Sequence, residues 1–176
     1  MKKYFWIPLI LLIIFSSCTK NEMKKNIKKK EETFNAGLKK DTVLYALGRD
    51  LIVQYDSFIK RYPKDSRCPE MVFNAGAMYL KYLSDNWEAI KYFDLLYEKY
   101  PDYERTPEAL FTIANLYNDF LKKQDKAKAY FELIIKTYPK HRLASDSKVL
   151  LRNIGKSDEE LWNDIQKQQK EQSEKK

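Results

Sequence analysis

Two side chains in this sequence have the chemistry of a nucleophile and its base, Cys68 and His141. A thiol is activated only when a base sits within about 3 Å of it. Both residues follow Tyr-Pro dipeptides, Tyr62-Pro63 and Tyr138-Pro139, but two repeats apart in register, which places them far from each other. His141, the single histidine, therefore reads as a solvated loop residue, and Cys68 as an inert, semi-buried small residue. No metal-ligand spacing, phosphate-cradling glycine loop or serine elbow is present. The sequence thus points away from catalysis and calls for no metal or cofactor. The 13 tyrosines and 9 phenylalanines could build a stacking platform for bases or glycans, but their helical spacing assigns most of them to a core.

The elements that position these residues are set by a repeated phrase. QYDSFIKRYP at Gln54–Pro63 returns as YFDLLYEKYP at Tyr92–Pro101 and as YFELIIKTYP at Tyr130–Pro139, so the closing prolines recur every 38 residues. Self-similarity at such a period marks a helical repeat array. A first helix is predicted over Asp41–Arg61, capped by Asp41, with Val43, Leu44, Leu47, Leu51, Ile52, Tyr55, Phe58 and Ile59 on one face. Two hairpins follow, Glu70–Leu83 with Trp87–Lys99 and Glu108–Lys122 with Lys126–Thr137. Pro69 and Pro107 suit a first helical turn, and the Thr106 hydroxyl is available as a cap. A shorter helix is predicted over Asp146–Ile154, with Ser145-Asp146 at its start and Gly155 at its end. A capping box at Ser157–Glu160 opens the last helix, Asp158 to about Lys170. Leu161, Trp162 and Ile165 give that helix a narrow apolar stripe, expected to cover the open end of the array, and the tail 166–176 is expected to fray.

The net charge of +8 is not spread over this array. Met1–Ser17 carries +2, Lys20–Lys40 carries +5 and Gln166–Lys176 carries +2, which leaves −1 for Asp41–Ile165. A nucleic-acid binder should carry its basic stripe on the fold itself, so nucleic acid is excluded as a partner. Lys20–Lys40 reads as a flexible, solvated tether, with contact between its lysines and anionic headgroups as the alternative. Ahead of it, a charged start and an apolar run over Tyr4–Phe15, too short to span a bilayer, describe an export signal ending at Ser17.

Phe15-Ser16-Ser17-Cys18 resembles the lipobox of bacterial lipoproteins, with Phe15 where leucine is usual. The resemblance implies a diacylglyceryl group on Cys18. By the same resemblance, Thr19 in place of aspartate leans towards the outer membrane, and the lack of an acidic run favours its periplasmic face.

The hairpins resemble tetratricopeptide repeats. The matching positions are Val72, Ala75, Gly76, Tyr79, Ala89, Phe93, Leu96 and Pro101, then Leu110, Ile113, Ala114, Tyr117, Ala127, Phe131, Ile134 and Pro139. The period is 38 where that family has 34, with one extra residue in each turn inside a hairpin and three in each Tyr-Pro loop. The long loops on a lipid-anchored chain are similar to the periplasmic BamD-like and Tol–Pal-associated YbgF-like group. The resemblance covers 41–165 and implies an all-α solenoid of about seven helices with a C-terminal capping helix. It also implies a groove lined by Phe73, Ala77, Leu80, Lys81, Phe111, Asn115, Asn118, Asp119, Val149 and Asn153. Phe73 and Phe111 stand where some relatives place carboxylate-clamping lysines, so a clamp of that kind is not expected. The implied role is an adaptor for protein or peptide partners in the bacterial envelope, with outer-membrane protein assembly as the process it suggests. The alternative is a repeat lipoprotein that binds glycan or peptidoglycan, or one associated with cell division.

Overall fold

Each Tyr-Pro phrase ends a helix, because the residue before proline is pushed out of the α region. The computed structural model describes residues 7–38 and 44–173, with side chains from Thr19 onward except Gln168, Glu171 and Gln172. The expected cap Asp41, its neighbour Val43, Met1–Trp6 of the export signal and the side chain of Cys18 lie outside the described residues. The helices are α1 (Ile7–Leu38), α2 (Leu44–Arg61), α3 (Cys68–Lys81), α4 (Asn86–Lys99), α5 (Thr106–Asn115), α6 (Gln124–Thr137), α7 (Arg142–Asn153) and α8 (Asp158–Ser173), and α5 continues through a π turn over Leu116–Phe120. The chain is all-α among the described residues, as the repeat pattern requires. It forms two units, Met1–Tyr92 and Phe93–Lys176.

The three corners share one hydrogen-bond pattern. The carbonyls of Tyr62, Tyr100 and Tyr138 accept from the N–H groups of Asp65, Tyr103 and His141 at 2.9, 3.1 and 2.9 Å. The carbonyls of those residues accept in turn from Cys68, Thr106 and Ala144 at 3.0, 2.9 and 2.9 Å. Two linked turns therefore use the three extra loop residues. The Thr106 hydroxyl does not cap α5: it donates to the Tyr100 carbonyl at 2.9 Å. Cys68 does the same at the first corner, its thiol lying 3.1 Å from the Tyr62 carbonyl. Buried Cys68 and Thr106 are thus equivalent parts of two equivalent corners.

The extra residue inside each hairpin has an equally specific place. Ser84 and Lys122, one period apart, are the described non-glycine residues at positive φ, 53° and 52°. Their turns match: Leu83 donates to Met78 and Asp85 to Tyr79, while Leu121 donates to Leu116 and Lys123 to Tyr117. The five-residue spacing of the Leu83 and Leu121 bonds widens the end of each first helix, so the second hairpin's first helix is not α throughout. A left-handed residue then reverses the chain, at a cost of about 1–2 kcal/mol for a side chain with a Cβ.

The first unit differs from expectation over Lys20–Lys40. That stretch is helical to Leu38 and packs on α2, with Ile27 and Phe34 only 1% and 4% exposed. The Phe34 ring meets Tyr82 edge-on at 5.2 Å. Tyr55 donates to Glu31 at 2.8 Å, and Lys30 pairs with Asp50. Lys20 and Lys24 both reach Asp65, at 2.9 and 2.8 Å. These pairs run in opposite order along the two segments, so α1 and α2 are antiparallel. Burying each anchor contributes about 1.5–3 kcal/mol, and Asp65 and Asp50 pair with three of the lysines that made the segment look disordered, Lys20, Lys24 and Lys30.

In the second unit, Leu110, Ile113, Ala114, Ala127, Phe131 and Ile134 form the core at the repeat-matching positions. Helix α7 starts four residues earlier than expected, because His141 is its cap: Nδ1 accepts from the Leu143 N–H at 3.2 Å. The loop histidine is thus a structural group. The Ser157–Glu160 capping box forms as expected, with bonds of 2.8 and 3.2 Å. The covering role of α8 does not: Trp162 is 60% exposed and Ile165 47%. Its apolar stripe is too narrow to bury, and an ion pair from Lys156 to Asp164 ties the helix to the loop that precedes it.

Candidate functional site

A tyrosine device recurs in both units and fixes the first helices that carry the expected groove residues. Tyr79 stacks on Tyr92 at 5.4 Å, and Tyr117 on Tyr130 at 5.7 Å. The outer ring of each pair then donates to a carboxylate from the preceding phrase, Tyr92 to Asp56 at 2.8 Å and Tyr130 to Asp94 at 2.8 Å. Burial, then the neighbouring carboxylate, pushes both phenols well above their ordinary range. Burial also pushes Asp94 up, against the hydrogen bond from Tyr130, which pulls it down. All four tyrosine positions follow the 38-residue period.

In the first unit, a cleft of about 440 Å³ lies between α1 and α3, floored by α2. Leu51, Met71, Met78 and Phe34 give it an apolar base. Glu31, Asn35, Glu70, Asn74, Arg67 and Lys81 supply acid, amide and basic groups around the rim. Of the residues expected here, Ala77 and Lys81 line the cleft, and Leu80 is half-buried beside it. Phe73, expected to present its ring, is 7% exposed and belongs to the core. Helical periodicity cannot tell the groove face of a helix from its core edge where the two adjoin. Glu31 and Asn35 were missed because α1 was read as a tether. Arg67, Glu70 and Asn74 were missed because the groove face is rotated from Phe73 towards Asn74.

A second cleft, about 490 Å³, lies in the second unit among α5's π turn, α7 and the start of α8. Asn118, Asp119 and Asn153 line it with Leu150 and Phe131. Asn118 donates to Asp119 at 2.7 Å. Phe111 and Asn115 are half-buried, the Phe111 ring edge-on to Phe131 at 5.6 Å, and Val149 is exposed outside the cleft lining.

Both clefts are of a size that holds a few side chains, with amides placed to bond peptide groups. Among the described residues no group of His, Cys, Asp and Glu could hold a metal ion, and no helix is long and apolar enough to cross a membrane. Residues 108–141, from α5 through α6 to the third corner, match the tetratricopeptide repeat family. A search of curated proteins finds no match to the chain.

Proposed function

We propose that this chain with a tetratricopeptide repeat is a non-catalytic adaptor, tethered by lipid on Cys18 to the periplasmic face of an outer membrane, that holds a protein partner in its clefts. Binding of protein partners is the general work of such repeats, and the repeat at residues 108–141 supports it here. The observation that carries the reading is the first-unit cleft, whose apolar floor and rim of amide and charged groups suit a peptide or helix from another chain. Outer-membrane protein assembly is the process this reading favours, on the strength of the lipobox-like Phe15–Cys18 sequence and the long corner loops.

A photo-crosslinking residue placed at Lys81, in the cleft, should capture partners that the same residue at Val53, exposed on α2, does not. Equal capture at both positions would sink the cleft as the binding site. Anchoring is tested separately: Cys18→Ser should abolish labelling by a fatty-acid analogue and release the protein from membranes. Retention of label on the serine variant would refute the lipid assignment.

A further inference from the structure

The first Tyr-Pro corner carries positive charge that the fold does not use. Lys60, Arg61, Lys64 and Arg67 fall within eight residues, with Asp65 the one acid among them. Helix α1 adds Lys20 and Lys24, so three cations converge on Asp65, Arg67 Nε standing 3.7 Å from it. The Asp65 carboxylate is 4% exposed and faces inward. Lys60, Arg61 and Lys64 are exposed, and among the described residues they pair with no acid. Lys20 and Arg61 stand over the Tyr62 ring at 5.2 and 5.8 Å. Among the described residues, the buried Tyr62 hydroxyl and two buried Arg67 nitrogens have no hydrogen-bond partner.

This charge is not a requirement of the corner. The second corner has the same backbone bonds but carries Glu98, Asp102 and Glu104 against Lys99 and Arg105. The third carries Lys136, Lys140 and Arg142, but Arg142 is paired with Asp146 at 2.9 Å. The first corner is also where α1 arrives, two residues after Cys18 and five after the apolar run that ends at Phe15. At 1.5 Å per helical residue these separations are about 3 and 7.5 Å, so Lys20 stands at the point where the chain would meet a bilayer.

We propose that the first Tyr-Pro corner, together with Lys20 and Lys24, is a contact surface for the phosphate headgroups of an anionic bilayer. Lys20 reaches Asp65 at 2.9 Å, and Lys64 adjoins Asp65 in sequence, so the exposed cations of the corner stand on the same part of the unit as the start of the described α1 side chains, where a membrane's surface charge would attract each of them. The contact would lay the first unit on the membrane rather than let it hang from a spacer. It rests on the envelope reading above for the presence of a membrane, but not on the lipid.

The test uses the full chain with Cys18→Ser, so that anchoring and corner contact can fail separately. Co-sedimentation is measured with vesicles of phosphatidylcholine alone and of phosphatidylcholine mixed with phosphatidylglycerol. Lys60→Glu/Lys64→Glu, both exposed, should weaken binding to the mixed vesicles by more than about tenfold and leave the neutral vesicles unaffected, since each lysine is worth about fivefold. Lys136→Glu/Lys140→Glu at the third corner removes the same charge and should change binding by less than about twofold. Equal losses at the two corners would overturn the assignment, as would no loss at either. Displacement from mixed vesicles by inorganic phosphate at concentrations matching the headgroup phosphate would show a site for a free anion and overturn the membrane contact.

Discussion

The two end helices of this molecule invert what their sequences promise. Helix α1 is dense in lysine and has two buried apolar anchors, yet it packs on α2 through Ile27 and Phe34 and joins in three sets of polar contacts. Helix α8 has a well-formed capping box and an aromatic-aliphatic stripe, yet Trp162 and Ile165 remain exposed. The difference lies in what waits across the interface. Asp50, Tyr55 and Asp65 stand where the polar groups of α1 need them, and Phe34 fits against Gly48, where an added Cβ would already lie 3.5 Å from the ring. Among the described residues, no comparable partner buries Trp162 or Ile165 of α8. Packing is a property of two surfaces, and the amphipathicity of one helix does not establish it.

Removal of the α1 anchor is the largest test of this contrast. Phe34→Ala should cost about 3–5 kcal/mol in urea denaturation, since it removes a ring that is buried between α1 and α2 at the base of the cleft. A loss below about 1 kcal/mol would mean that α1 is a loosely held strap. Next comes Asp65. Burial alone would raise its pKa, but the bonds from Lys24 and Lys20 and from the Arg67 N–H outweigh it and hold the carboxyl well below the usual range. A depressed folded value means that the unfolded chain binds the proton first. Its stabilisation is therefore complete above the unfolded pKa of about 4 and is lost as pH falls towards the folded one. Asp65→Asn should flatten that acid limb and cost about 1.5–3 kcal/mol at neutral pH, towards the lower end because both lysines are about a third exposed. An unchanged acid limb would remove Asp65 from the account of how α1 is held.

The turns inside the hairpins give a reference that favours neither end. Ser84→Gly and Lys122→Gly should each stabilise by up to about 1 kcal/mol, because glycine adopts positive φ without the Cβ penalty and loses part of that gain to chain entropy. Destabilisation of both would show that the side chains contribute more than the strain removes. The smallest effect belongs to Trp162→Ala, expected within about 0.5 kcal/mol by thermal denaturation. A cost above about 2 kcal/mol would place α8 in the packed structure and erase the contrast with α1.

Much of the fold was legible because the repeated signals are local. Proline at 63, 101 and 139 fixes where helices stop, and the small and large residues of the second hairpin fill the core as their spacing predicts. What escaped depends on distant partners. Lys20–Lys40 looks disordered until Asp50 and Asp65 are placed beside it, and the Thr106 hydroxyl looks like a cap until the Tyr100 carbonyl is seen to accept from it. The site was half legible for the same reason. Ala77, Lys81, Asn118, Asp119 and Asn153, named from register, line the two clefts, whereas Phe73 lies one step around its helix in the core, and Glu31 and Asn35 were hidden in the expected spacer.

The stacked tyrosines and their carboxylates also bear on how long such a chain can grow. One period beyond Tyr117 and Tyr130 the sequence has Gly155 and Gln168, so the phrase beginning at Tyr130 offers Glu132 but no phenol follows to take it. The fastening is interrupted there by two residue identities, while the preceding acid remains exposed on α6. Restoring those two tyrosines alongside an appended hairpin would ask whether the number of repeats is limited by these latches alone.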